Sequence, residues 1–491
     1  AGDEIIDLGG RAVIPGMIDS HIHFLDYALS LGQVDLSGAM TLEAALERVA
    51  AQAVQLSPGE WIRGGGWDQN LWGGWPHRRE LDRVAPDNPV ALDRKDGHVL
   101  WANSAALRLA GIDGATPDPP GGEILRDHES QPSGILKERA RELLYPHLPL
   151  LDAPSRQAAL RRAIPLAHRL GLTGIHTLAG VDSEDDPAPL FDYGALLEED
   201  ALDLRVWVVL PARAWPEITA LGLRSGLGDP RLRFGGIKIF ADGTLGSQTA
   251  DMLEPFEEQP RNRGIQVTPQ DQLESLVREA SRAGVACAVH CIGDRAVRRA
   301  LGAFEKARRL EPNSARIRHR LEHAQIVHPQ DMPRWASLGV IASMQPIHAV
   351  SDMSIADRYW GARSQHAYAW RSLLAAGARL AFGSDAPVEN VNPLLGIHAA
   401  VTRQRVDGYP EGGWHPQERL GVSEAVYGYT LGAAYASGEE GLKGSLAPGK
   451  LADLAVLSAD IFRISAAEIA TTRVVMTVFD GRSVYRGEDM D

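Results

Sequence analysis

"MIDSHIHF", residues 17–24, sets two histidines two apart inside a run that otherwise reads as a buried strand. Strand side chains alternate between faces, so His21 and His23 point the same way. Met17, Ile18, Ile22 and Phe24 mark the run as core. A strand that aims two imidazoles at one spot needs a reason in chemistry, and its neighbours along the chain supply one.

Seven further apolar runs share its form, most with a polar residue at or near the end: 171–180, 204–212, 235–243, 284–294, 317–325, 340–346 and 379–387. Helical patterns at 154–171, 269–284 and 296–309 separate several of them. Continuous apolar strands alternating with helices indicate an α/β fold whose parallel sheet is covered on both faces. Eight units predict a closed (β/α)₈ barrel of the TIM type, and a doubly wound open sheet is the alternative on pattern alone.

Two regions fall outside the repeat. Residues 35–150 separate the first strand from the second by far more than a βα unit requires, and are rich in Trp, Gly and Pro. This large insertion after strand 1 is expected to be an ordered cap for substrate recognition, folded over the mouth of a barrel spanning 15–443. Residues 444–491 carry short alternating strands and Gly turns. Together with residues 1–14 they predict a small β-sandwich domain built from the two termini.

The bulk numbers restrict the function. The 491 residues carry a net charge of −14, with 44% hydrophobic and 23% charged residues. That is a folded globular composition whose acidity disfavours nucleic acid and anionic membranes. No apolar run approaches the ~18–20 residues of a membrane span. The opening "AGDEIIDLGG" shows no signal-peptide pattern, and two cysteines argue against a disulfide framework. A reducing, cytoplasmic location is expected.

Side chains at the carboxyl ends of barrel strands converge on one mouth. Strand one offers His21 and His23, strand four Lys238, strand five His290, strand six His323 and strand eight Asp385. Such nitrogen and carboxylate donors suit Zn²⁺, with Fe²⁺ and Mn²⁺ as alternatives. Singly, each has a plainer explanation: a hydrogen-bonded core histidine, or a helix-capping Asp385. Lys238, between Ile237 and Ile239, is harder to dismiss, because an unpaired buried ammonium is costly. Cys291 should point away from the site by alternation.

These segments together resemble the amidohydrolase superfamily, specifically the amidohydrolase-3 branch of N-substituted formamide deformylase and YtcJ-like proteins. The resemblance rests on "PGMIDSHIHF", "GWDQNLWGG", "DGHVLWANSAAL", "IKIFADGTLGSQTA", "VHCIGDRAV", "RLEHAQ", "QPIHA", "FGSDAPV" and "GSLAPGKLADLAVL". It implies His21, His23 and Asp385 on a more buried metal, His290 and His323 on a second, and a carboxylated Lys238 bridging them. Members usually carry several more strands ahead of the segment matching "EIIDLGGRAVIPG", and here the sequence departs from that pattern.

The chemistry implied is hydrolysis of a C–N amide bond by metal-activated hydroxide, with Asp385 as general base and then acid and His290 and His323 assisting. A small amide such as an N-substituted formamide is the expected substrate. An N-acyl amino acid deacylase and a cyclic amidase are alternatives within enzymes, and a catalytically silent scaffold lies outside them. Trp67, Trp72 and Trp101 are candidates for an apolar pocket, as well explained by packing within the insertion. His98, His348, Arg363 and Glu138 are candidate polar contacts to substrate, each equally explained by a structural role. A homodimer is the base-rate expectation.

Overall fold

The computed structural model describes residues 6–95, 97, 99–119, 122–149, 152–178, 188–257 and 259–488. All eight apolar runs are strands: β1 (Met17–Ile22), β2 (Leu172–Leu178), β3 (Arg205–Pro211) and β4 (Leu232–Phe240) come first. β5 (Ala286–Cys291), β6 (Arg320–His323), β7 (Ile341–Met344) and β8 (Arg379–Phe382) follow. They are hydrogen-bonded in chain order, every adjacent pair parallel. Their nearly unbroken burial explains why they lack hydrophobic alternation: both faces are covered.

The seam between β1 and β8 brings this sheet round to a nearly closed barrel of the TIM type. Asp385 N–H donates to the His21 carbonyl at 2.7 Å, and His23 N–H to the Ala386 carbonyl at 2.9 Å. Asp19 Oδ1 clamps the same seam, accepting from the N–H groups of His21 at 3.1 Å and Ser384 at 3.0 Å. Gly383 is required there, because a Cβ would lie 2.4 Å from His21 N. The expected helices are present as α1 (Ala153–Arg169), α2 (Gln270–Ala283) and α3 (Asp294–Leu310). In α3 the stripe Val297, Ala300, Leu301, Phe304 and Ala307 is buried at helical spacing. Among the described residues no helix is long and apolar enough to cross a membrane.

The chain divides into two compact units, Ala1–Phe24 with Arg161–Asp491, and Leu25–Leu160. In the first, the barrel is joined by an antiparallel sheet ordered Val13–Pro15, Leu454–Leu457, Val474–Phe479, Arg482–Arg486. One strand comes from the N-terminal segment and three from the C-terminal segment, and among the described residues they form a single layer. Arg205, at the start of β3, ties the barrel to this sheet. Its Nε and Nη2 reach the Asp453 carboxylate at 2.6 and 3.0 Å, and Nη2 reaches Asp480 at 3.1 Å.

The Leu25–Leu160 unit is wider at each end than the 35–150 insertion read from composition. It has its own six-stranded mixed sheet and a core in which Trp67 and Trp101 are fully buried.

Candidate metal centre

β1 delivers His21 and His23 to the barrel interior as its alternation requires. His21 Nδ1 lies 2.5 Å from Glu322 Oε2. The imidazole therefore donates there, and in the neutral ring the lone pair is on Nε2. That Nε2 is buried without a hydrogen-bond partner, 3.2 Å from Asp385 Oδ1. His23 repeats the arrangement: Nδ1 donates to the Leu178 carbonyl at 3.0 Å, and Nε2 faces the same Asp385 oxygen at 3.1 Å. Two imidazole acceptors thus meet one carboxylate acceptor, an arrangement that needs a cation or protons to be stable.

His323 and Asp385 reach this point by backbone conformation. Glu322, next to His323 in β6, also faces the interior, which strict alternation forbids for neighbours. His323 at φ +68°, followed by Ala324 at φ +43°, breaks the alternation, and Asp385 sits beyond β8 at φ +64°. Side-chain-bearing residues take this left-handed region at a cost, and such strain concentrates at functional sites. His323 Nδ1 donates to Gln345 Oε1 at 2.8 Å, and its ring centroid lies 4.7 Å from those of both His21 and His290. Candidate ligand atoms of His21, His323 and Asp385 lie within 4.8 Å of one another. His290 Nε2 donates to the Gly243 carbonyl at 3.0 Å, which leaves its Nδ1 bare.

Electrostatics keeps the donors in ligating form. Burial, aided by the Lys238 charge, lowers His290 to about 3. Burial also holds His323 well below the ordinary histidine value. Burial alone would raise Asp385, but His21, His23 and His348 hold it well below the usual carboxylate range. Lys238, on β4, is lowered to about 8 by burial. Its Nζ lies 5.0 Å from the Phe240 ring centroid and, among the described residues, makes no ion pair within 4.0 Å. A divalent cation fits this donor set, since neutral imidazoles, a carboxylate and an orphaned buried nitrogen are what such an ion takes up.

The other candidates scatter. His348 joins the site, its Nε2 lying 3.1 Å from Asp385 Oδ2. Burial would lower it, but the hydrogen bond to Asp385 and the Asp385 and Glu389 charges raise it to about 9. Arg363 is committed to the backbone, donating to the carbonyls of Trp360 at 3.1 Å, Glu254 at 2.8 Å and Pro255 at 2.6 Å. In the Leu25–Leu160 unit, the rings of Trp67, Trp72 and Trp101 pack together with centroids 5.8–6.0 Å apart. Trp67 Nε1 donates to the Leu92 carbonyl and Trp72 Nε1 to that of Ala39, both at 2.9 Å. Glu138 ends the strand Pro132–Glu138 of that unit at φ +49°. His98 lies outside the described residues.

Sequence reasoning passed over Glu322 and Gln345, which hold the Nδ1 atoms of His21 and His323. The available signal was "RLEH", with Arg320 and Glu322 two apart in a fully buried strand, spaced to pair on one face.

The chain matches the model described as Amidohydrolase family over residues 4–485. YtcJ of Bacillus subtilis (strain 168) is 35% identical over 485 residues, covering 98% of this chain and 90% of that protein. N-substituted formamide deformylase of Arthrobacter pascens is 32% identical, covering 97% of this chain and 89% of its own. Among solved structures, an uncharacterized metal-dependent hydrolase from Pyrococcus horikoshii OT3 has a TM-score of 0.78 at 30% identity. That match covers 95% of this chain and 89% of the other.

Proposed function

This chain belongs to the amidohydrolase family, as a hydrolase acting on C–N bonds, and from that premise we propose that its substrate is a small uncharged carboxamide, an N-substituted formamide or a close analogue. The observation that carries the site is the convergence of the Nε2 atoms of His21 and His23 on Asp385 Oδ1, at 3.2 and 3.1 Å. His21, His23 and Asp385 would hold one cation. His290 and His323 would hold a second, with a carboxylated Lys238 between the two. Carboxylation of the amine would turn a buried cation that lacks a partner into an anionic ligand. Zinc is the commonest ion for such donors, with iron(II) and manganese(II) as alternatives. When bound, such an ion supplies Lewis acidity and lowers the pKa of water to ~7.

The protein's own groups handle the protons. Asp385, ionised and central, accepts a proton from the attacking water as its oxygen bonds to the amide carbon. The carboxylate then returns that proton to the departing nitrogen as the C–N bond breaks. His348, hydrogen-bonded to Asp385 Oδ2, orients the carboxylate. With Arg363 committed to three backbone carbonyls, this basic candidate is not free to bind an acidic substrate, which favours an uncharged amide.

The test is amine release from formamides, acetamides and N-acyl amino acids, using metal-replete, chelated and Asp385→Asn protein. Formamide turnover is expected, falling roughly 10²–10⁴-fold on loss of Asp385. Turnover that survives both chelation and substitution overturns the mechanism. A preference for N-acyl amino acids overturns the substrate class.

A further inference from the structure

We infer that Glu322 is a positioning residue for the metal centre: its carboxylate fixes the tautomer and orientation of His21, and Arg320 and His176 hold that carboxylate in place. The inference rests on the metal-centre reading above and concerns residues outside the proposed ligand set. Glu322 Oε2 accepts a hydrogen bond from His21 Nδ1–H at 2.5 Å, which directs Nε2 toward Asp385. The other oxygen, Oε1, pairs with Arg320 Nε at 2.8 Å. Arg320 Nη1 in turn donates to the Ser20 carbonyl and to His176 Nδ1, both at 3.0 Å. The chain of contacts therefore runs from β6 to β2 and back to β1, at the residue preceding His21.

All four side chains are buried. A plain ion pair on one face of β6 would account for Arg320 and Glu322 alone. It would not account for the third contact, made across the barrel to a histidine 301 residues away. Nor would it explain the cost tolerated beneath the site. Arg320 Nη2 and His176 Nε2 have no hydrogen-bond partner among the described residues, and such buried donors are expensive. Histidine ligands that donate their second nitrogen to a carboxylate gain basicity and a fixed ring plane. Arg320 balances the charge, so the carboxylate orients the imidazole without adding net negative charge to the interior.

The experiment titrates metal-free protein with Zn²⁺ and Co²⁺ against a chromophoric chelator, recording the cobalt visible absorption, with circular dichroism to verify folding. Wild type is compared with Glu322→Gln, which keeps an acceptor for Nδ1, and Glu322→Ala, which does not. The expected loss of affinity is about 10- to 100-fold for Glu322→Ala. Glu322→Gln should recover part of that loss, and both variants should show altered cobalt bands, a change that general destabilisation would not produce. Wild-type affinity and spectrum in Glu322→Ala overturn the inference alone. A wild type that binds neither ion overturns the metal centre and the inference with it. Should Glu322→Ala fail to fold, Glu322→Gln carries the test, and an unchanged cobalt spectrum and affinity there overturn the inference.

Discussion

At the N-terminal end of the barrel, Arg205 lies 4.8 Å from the Phe479 ring centroid and finds Asp453 at 2.6 Å. At the C-terminal end, Lys238 lies 5.0 Å from the Phe240 centroid and, among the described residues, has no carboxylate within 4.0 Å. Both cations are buried over an aromatic face, and only one has its anion. The same contrast holds for the acceptors: both oxygens of Asp453 are met by a guanidinium, while Asp385 has His348 on Oδ2 and two further imidazole nitrogens crowding Oδ1. One end of the barrel is electrostatically complete as folded. The other is complete only with an added cation.

The largest effect expected from this contrast is at the complete end. Arg205→Met leaves Asp453 buried without its charge partner and should cost about 3–5 kcal/mol of stability in urea unfolding. A loss below about 1 kcal/mol would break the contrast. Next comes the cation itself. At a free concentration 100 times its Kd it should stabilise the protein by ~2.7 kcal/mol, reversed by a chelator and absent in Asp385→Asn. An unfolding midpoint indifferent to metal would leave the imidazole cluster unexplained.

Smaller per pH unit, though reaching up to ~3.4 kcal/mol across its whole window, is the effect of His319, at the threshold of β6. Its Nδ1 accepts from Cys287 N–H at 3.1 Å and its Nε2 donates to Ser281 Oγ at 3.0 Å, a pattern only the neutral ring can make. Burial lowers it to about 4 from the ordinary 6.5. Between those values the unfolded chain binds the proton that the folded chain refuses. Stability should therefore fall as pH drops from 6.5 to 4, by at most ~1.4 kcal/mol per pH unit from this group. His319→Gln should flatten that slope in urea titrations run across the window. The smallest effect expected is that of Lys238→Met in metal-free protein. Without an anion to orphan, it should stay within about 1 kcal/mol of wild type. A loss as large as that of Arg205→Met would make the two ends alike.

Much of the barrel was legible because parallel strands are buried on both faces, and that burial is written locally as apolar runs. The His21–His23 pair was legible for the same reason, since a period of two assigns a face without knowledge of what occupies it. His323 and Asp385 were visible only as polar residues at strand ends. What turns His323 inward beside Glu322 is a left-handed φ of +68°, which residue type does not announce. Glu322 passed unnoticed because its partner is 301 residues away. Tryptophan enrichment marked the region around Trp67 and Trp101, but burial of both rings in the core of Leu25–Leu160 depends on strands that composition cannot align.

Taken alone, the order of residues determined that eight buried strands alternate with helices and that certain of those strands end in metal-ligating side chains. Periodicity and composition are properties of short windows, and eight such windows suffice for a barrel. The folded chain decided which nitrogen of each imidazole faces the site, that Asp385 stands between two of them, and that Lys238 lacks the anion Arg205 has. Those outcomes follow from closing the sheet at the β1–β8 seam, which juxtaposes atoms that no local pattern relates.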